Sequence, residues 1–147
     1  MAQASYLAEA RRYTQAVEID PADIDFMGHV NNAAYLVWVQ AAVLNHWHQM
    51  ASSEALSAYR WIAVKHEITY RKPAFLEDRL TATVDLEKVR RESAFYGIEI
   101  RREDQLIAEV KSRWCCIDAV TLGPVRIPEN VIRCFGADLT PCPELST

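Results

Sequence analysis

The chain has 147 residues, half of them hydrophobic and 24% charged, with a net charge of -4. That is enough for one domain with a packed core, and the acidic balance argues against nonspecific nucleic-acid binding. The first residues, Met1 to Ser5, lack the basic and apolar regions of a signal peptide, and the longest apolar run of the central uncharged stretch, Ala33 to Val39, is too short to span a membrane. The charge is uneven. Residues 60–113 hold 12 Lys/Arg against 10 Asp/Glu, and the rest hold 4 against 10, so an anionic ligand is best tolerated in the middle of the chain.

Residues 1–10 read as a loose arm or short helix. Tyr13 to Ile19 alternates apolar and polar, the period of a strand, and Asp20-Pro21 breaks it. Asn31 or Asn32 is suited to cap a helix running to about Met50. That helix is apolar nearly all round, which predicts an enclosed element. A Ser/Ala-rich turn follows. Ile62, Val64, His66, Ile68 and Tyr70 then alternate with polar residues, predicting a strand with those five on one face, ended by Pro73. Leu80 to Val89 is the next strand, with Leu80, Ala82, Val84 and Leu86 on one face. Phe95–Arg101 and Leu106–Ile117 form a hairpin across 102–105. A turn at Gly123-Pro124, a short helix after Pro128 and a frayed tail over 138–147 complete the chain.

Four long strands in meander order with one buried helix predict an α+β architecture, an antiparallel sheet curled around one long central helix. The uncovered sheet face and edges predict self-association. Cysteines stand at 115, 116, 134 and 142, with no C-x-x-C pair and no His spacing that completes a zinc pattern. They read as reduced thiols of a cytoplasmic protein.

Chemistry concentrates in the segment 23–32, Asp-Ile-Asp-Phe-Met-Gly-His-Val-Asn-Asn, after which no Asp, Glu, Lys or Arg occurs until Glu54. A helix start presents unpaired N–H groups and partial positive charge, which can bind a developing oxyanion. Asp25 in this position can act as a nucleophile or base, or simply cap a turn. His29 can support it or be a solvated loop residue. Asn31 and Asn32 suit helix capping, and Gly28 supplies backbone freedom. Tyr35 and Trp38, one turn apart, suit the core, with Tyr35 also placed to line a pocket. His46 and His48, two apart, share no helix face and make no metal site. His66 reads as a core or interface residue. Arg71, Lys72, Lys88, Arg90, Arg91 and Arg113 are candidates for phosphate groups, Arg90-Arg91 first because the pair ends a strand. With four glycines and no Gly-x-Ser-x-Gly, serine-hydrolase and P-loop readings are poor.

Asp23-x-Asp25-x-x-Gly28-His29-Val30-Asn31-Asn32-x-x-Tyr35, an apolar helix, Tyr70-x-x-Pro73-x-x-x-x-Asp78, then Trp114-x-x-x-Asp118 resembles the hotdog-fold acyl-CoA thioesterases of the 4-hydroxybenzoyl-CoA thioesterase type. The resemblance implies one hotdog domain over residues 1–147 with its core at about 13–135. It implies Asp25 as nucleophile or general base, His29 in support, and a backbone N–H near Asn32 polarising the thioester carbonyl. Gly28, Val30, Asn31, Tyr35, Arg90 and Arg91 are then expected to contact substrate. The substrate is an acyl-CoA or an acyl carrier protein thioester, with no cofactor, no metal, no nucleic acid and no membrane. A homodimer or homotetramer with sites at the dimer interface is implied. Two departures narrow the mechanism. Gln40 replaces the mid-helix glutamate of many relatives, and Met27 stands where the plant acyl-carrier enzymes have an asparagine. An enoyl- or hydroxyacyl-thioester hydratase-dehydratase and a non-catalytic acyl-thioester-binding module are the alternative readings.

Overall fold

Asn31 starts the long helix. Its backbone is extended and its side-chain oxygen accepts the Ala33 N–H, so helix α1 runs Asn32–Met50, as expected from capping preference. The computed structural model describes residues 10–136. The expected N-terminal arm, the frayed tail and Cys142 lie outside the described residues.

Five strands make one antiparallel sheet: β1 (Arg12–Val17), β2 (Tyr59–Tyr70), β3 (Leu80–Arg90), β4 (Ser93–Arg102) and β5 (Gln105–Asp118), in the order β1-β3-β4-β5-β2. Two short helices, α2 (Ser53–Ala58) and α3 (Glu129–Cys134), flank it. α1 buries Ala34, Tyr35, Trp38, Val39, Ala42, Val43, His46 and Trp47, one stripe at helical spacing. The stripe joins one core with Leu80, Ala82, Val84 and Leu86 of β3 and Ala94, Tyr96, Ile98 and Ile100 of β4. The faces of β3 and β4 follow the alternation in the sequence.

His46 and His48 diverge as their spacing requires. His46 is buried, with Nε2 2.7 Å from the Ala10 carbonyl and Nδ1 3.1 Å from the Tyr96 hydroxyl. A carbonyl only accepts, so Nε2 carries the proton and the Tyr96 hydroxyl donates to Nδ1. Burial lowers the pKa of His46 and raises that of Tyr96, so both stay neutral. His48 is exposed and folds back onto the Leu44 carbonyl.

Four expectations are corrected. The strands are not in simple meander order. β1 occupies the outer edge of β3, so β2 pairs with β5 at the far edge and residues 71–79 cross back to β3. The helix is not enclosed within the protomer, because a five-stranded sheet covers one side only. Ala33, Leu36, Val37, Gln40 and Ala41 are exposed on the other. Nor do Ile62 through Tyr70 share a face. A bulge between Ala63 and Lys65 inserts one residue, which reverses the alternation. Trp61 and Ala63 pack inward before it and Ile68 after it, while Ile62 and Val64 are 49% and 51% exposed. Finally, the Ser/Ala-rich turn contains α2, whose N-cap Ser52 accepts the Ala55 N–H.

Among the described residues, Cys115, Cys116 and Cys134 are free thiols. Burial, and then Cys115, pushes the Cys116 thiol up to about 12, so it is inert. No helix of the described residues is long and apolar enough to cross a membrane.

Candidate active site

Residues 24–30 form a tight loop closed by an Ile24–Val30 bridge. The Asp25 N–H donates to the His29 carbonyl (2.7 Å) and the Gly28 N–H to the Asp25 carbonyl (3.0 Å). Asp25 Oδ1 accepts the backbone N–H groups of Met27 (2.9 Å) and His29 (3.1 Å). The carboxylate therefore does cap its own turn. Only one oxygen is used in this way; Oδ2 has no protein partner among the described residues. Gly28 sits at φ 80°, a conformation that strains any residue with a side chain, although a Cβ there would meet nothing within 4 Å. Its requirement is thus backbone shape and not space.

The loop is tied to its surroundings at both ends. The Asn31 N–H donates to the Asp23 carbonyl (2.7 Å) and the Val30 N–H to the Ala74 carbonyl (2.8 Å). In the first turn of α1, the Ala33 N–H is taken by Asn31 Oδ1 and the Ala34 N–H by the Asn31 carbonyl. The Asn32 N–H has no acceptor among the described residues. That free donor sits where the helix partial charge is positive.

An open cleft of about 450 Å³ unites these groups, lined by Asp25, Met27, His29, Val30, Asn31, Asn32 and Tyr35 from the loop and α1, and by Tyr70, Arg71, Lys72 and Pro73 from the end of β2. The imidazole of His29 packs edge-on against Phe75, with centroids 5.2 Å apart. His29 reaches Asp25 through its backbone N–H, and no bond joins the imidazole to the carboxylate among the described residues. Tyr35 and Tyr70 meet edge to face at 5.2 Å. Burial raises the pKa of both phenols, and for Tyr35 the neighbouring Tyr70 and Asp78 add to the rise while Arg102 opposes it, so both remain protonated.

The Tyr70-x-x-Pro73-x-x-x-x-Asp78 segment forms the opposite wall. Tyr70 donates its hydroxyl to the Asn32 carbonyl (3.0 Å). Asp78 accepts the Phe75 N–H and the Arg102 guanidinium, which also donates to the Pro73 carbonyl. With side chains 25% and 15% exposed, Arg102 and Asp78 pin the wall. Tyr70 and Pro73 were visible as motif residues but not as cleft residues. Phe75 and Arg102 carry no signal in the sequence that marks them.

Of the six basic candidates, Arg71 and Lys72 line the cleft, and Arg71 is paired with Glu109. Arg90 and Arg91 are not brought there. They close the β3–β4 turn, with Arg90 opposite Ser93 and Ser93 opposite Cys115. Cys115 pairs with Ile62, so the turn lies at the end of the sheet away from Tyr70. Lys88 lies over the Phe95 ring at 4.6 Å. Gln40 is on the exposed face of α1. Among the described residues, no cluster of His, Cys, Asp or Glu could hold a metal ion.

Known proteins resemble this chain in sequence and in fold. Residues 19–135 match the thioesterase-like superfamily. The long-chain acyl-CoA thioesterase FadM of Escherichia coli K12 is 31% identical over 102 residues, which is 67% of this chain and 77% of that protein. The crystal structure of YbaW, a probable thioesterase from Escherichia coli, superposes with a TM-score of 0.73 at 25% identity, covering 82% of this chain and 94% of that one. A protein from Staphylococcus aureus solved in complex with CoA shares the fold, with a TM-score of 0.75 at 18% identity over 84% and 80% of the two chains. This chain belongs to the thioesterase-like superfamily and has the hotdog fold.

Proposed function

We propose that this chain is an acyl-CoA thioesterase, acting as a single hotdog domain, that hydrolyses its substrate to a free acid and CoA with Asp25 as the reacting carboxylate. The observation that carries the reading is the division of labour within that side chain. Oδ1 is held by two backbone N–H groups, which fixes its direction, and Oδ2 is left for chemistry in a cleft that also holds the unfilled Asn32 N–H. A fixed base beside a fixed oxyanion donor is the pairing that acyl transfer to water requires.

In the general-base route, Asp25 takes a proton from water as the water oxygen bonds to the thioester carbon. The carbonyl oxygen gains charge and is stabilised by the Asn32 N–H. Collapse breaks the C–S bond, and the thiolate leaves with the proton held by Asp25. In the nucleophilic route, Asp25 itself bonds to the carbon, expels the thiolate and is released by water from the mixed anhydride. His29 supports either route by holding Asp25 through its backbone. Val30, Asn31, Tyr35 and Tyr70 line the cleft around them. Lys72 is the cation best placed for the phosphates of CoA, and Arg90 and Arg91 reach the same CoA from a neighbouring subunit. The exposed apolar face of α1 and the free edge of β2 support a homodimer or homotetramer. Free thiols support a cytoplasmic location.

Thiol release across a panel of acyl-CoA and acyl carrier protein thioesters tests the activity. Turnover of CoA thioesters that is lost in Asp25→Asn is expected. Loss of the crotonyl-CoA enoyl absorbance without thiol release would instead identify a hydratase, and saturable binding without turnover a binding module.

A further inference from the structure

Arg102 ends β4, where it stands opposite Leu80 of β3 and Gln105 of β5. It is thus fixed to the sheet on both sides. Its guanidinium reaches the crossing segment 71–79 at two points. One nitrogen donates to the Pro73 carbonyl (3.3 Å) and to Asp78 Oδ2, and the other donates to Gln105 Oε1. Asp78 Oδ2 also accepts the Phe75 N–H (2.9 Å), and the Asp78 N–H donates to the Phe75 carbonyl (3.0 Å). Residues 75–78 are therefore a closed turn whose carboxylate is held by this arginine.

Two residues between these anchor points, Ala74 and Phe75, meet the Asp25 loop. The Ala74 carbonyl accepts the Val30 N–H (2.8 Å), and the Phe75 ring lies edge-on to the His29 imidazole. His29 is in turn bonded to Asp25 twice, its N–H to Oδ1 (3.1 Å) and its carbonyl to the Asp25 N–H (2.7 Å). Contacts thus run without a break from Arg102 to Pro73 and Asp78, through Ala74 and Phe75 to Val30 and His29, and on to Asp25. Ala74 and Val30 are buried, so the bond between them is sheltered from water. Arg102 and Asp78 are far less open than the exposed Arg71–Glu109 pair, whose attraction solvent screens.

We infer that Arg102 is a positioning residue for Asp25: through the segment 71–79 it sets where the carboxylate points, without touching the substrate. The inference rests on the thioesterase reading and adds a residue to its machinery. The two N–H groups that hold Oδ1 fix its direction only if their own loop is fixed. Arg102 supplies that from the rigid end of the sheet. A displacement of about 1 Å at a reacting group costs on the order of 10²-fold in rate, so a tie this far from the chemistry still acts on it.

The test is a double-mutant cycle on kcat with dodecanoyl-CoA, run well below the melting temperature of each variant. Arg102→Met keeps the reach of the side chain and removes its donors, and should lower kcat roughly 10–100-fold. Arg102→Lys should lower it less, because an ammonium still pairs with Asp78 but cannot span both acceptors as the guanidinium fork does. Added to Asp25→Asn, Arg102→Met should cost less than about a further twofold, because the group it positions is already gone. A parental kcat in Arg102→Met would overturn the inference. So would the full loss repeated in the Asp25→Asn background, which would assign Arg102 to the fold alone. If Arg102→Met does not fold, Arg102→Lys and Asp78→Asn carry the same cycle with the same two outcomes. If the native protein releases no thiol from any CoA thioester, the thioesterase reading fails, and amide hydrogen exchange decides the tie. Val30 and His29 should then exchange faster in Arg102→Lys while Ile98 of β4 keeps its protection. Unchanged exchange at Val30 and His29 would overturn the inference.

Discussion

The hydroxyl of Tyr70 donates to the main-chain carbonyl of Asn32 at 3.0 Å, joining the end of the edge strand to the first residue of the long helix. This bond sets the width of the cleft, because Tyr70 stands on one wall and Asn32 on the other. Tyr70→Phe keeps the ring and its contact with Tyr35 but releases that wall. The bond is exposed, so the expected loss of stability is small, about 0.5–1 kcal/mol. The loss of kcat should be larger in proportion, several-fold, because a displaced Asn32 N–H no longer meets the developing oxyanion. Thermal denaturation and steady-state kinetics on one preparation separate the two effects. An unchanged kcat would show that the tether is structural only.

Asp25 has two tasks that mutation can divide. Asp25→Asn keeps an oxygen for the Met27 and His29 N–H groups and removes only the carboxylate chemistry. The protein should fold and bind acyl-CoA, with kcat lowered on the order of 10²–10⁴-fold. Asp25→Ala removes the cap as well, and should add about 1 kcal/mol of instability. His29→Ala should be milder than either, because its N–H remains and only the Phe75 contact is lost. An Asn variant that retains about a tenth or more of the parental activity would exclude Asp25 as base or nucleophile.

Much of this was legible in the sequence. Asn31, Gly28 and the uncharged run after them mark a loop entering a helix, and the alternation in β3 and β4 is undisturbed around Ala82, Val84, Ile98 and Ile100. The bulge at Val64 was not legible. Ile62 and Val64 are as apolar as Trp61 and Ala63, so hydrophobicity does not say which pair faces inward. The place of β2 beside β5 was also hidden, because strand order depends on which edge β1 takes, a tertiary choice with no local mark. Arg102 shows the same limit at the site. It reads as a hairpin-end cation, yet its partners Asp78 and Pro73 come from a distant loop.

Acid should destabilise the fold through His46. The unfolded imidazole takes up a proton near pH 6.5, while burial lowers the folded value. The unfolded chain therefore binds more protons over the interval between the two values, so stability rises with pH there. It is full above about pH 6.5 and declines as the pH drops below that. His66, whose pKa is also lowered by burial, adds a change of the same sign. His46→Gln offers one donor to the Ala10 carbonyl and one acceptor to Tyr96 but does not titrate in this range. Chemical denaturation from neutral to mildly acidic pH should show a flatter decline in that variant. Equal slopes in the two proteins would remove His46 as the cause.

The cations that hold CoA can be divided in the same way. Lys72 lines the cleft of its own protomer, whereas Arg90 and Arg91 close a turn at the other end of the sheet. Eight residues of β2 separate the Tyr70 level from the Ile62 level, about 27 Å. Phosphate contacts persist from ground state to transition state, so their loss raises KM more than it lowers kcat. Lys72→Ala should therefore raise KM several-fold and weaken the salt dependence of binding, since it removes a screened attraction. The double change Arg90→Ala, Arg91→Ala should do the same only if a second copy of the chain carries its turn to this cleft, and we expect that it does. Sedimentation at assay concentration gives the matching control, in which the active species is an oligomer. If Lys72→Ala moves KM while the double variant keeps the parental KM and salt response, CoA is held within one protomer and the shared site is wrong. If neither moves KM, the phosphates lie outside both places.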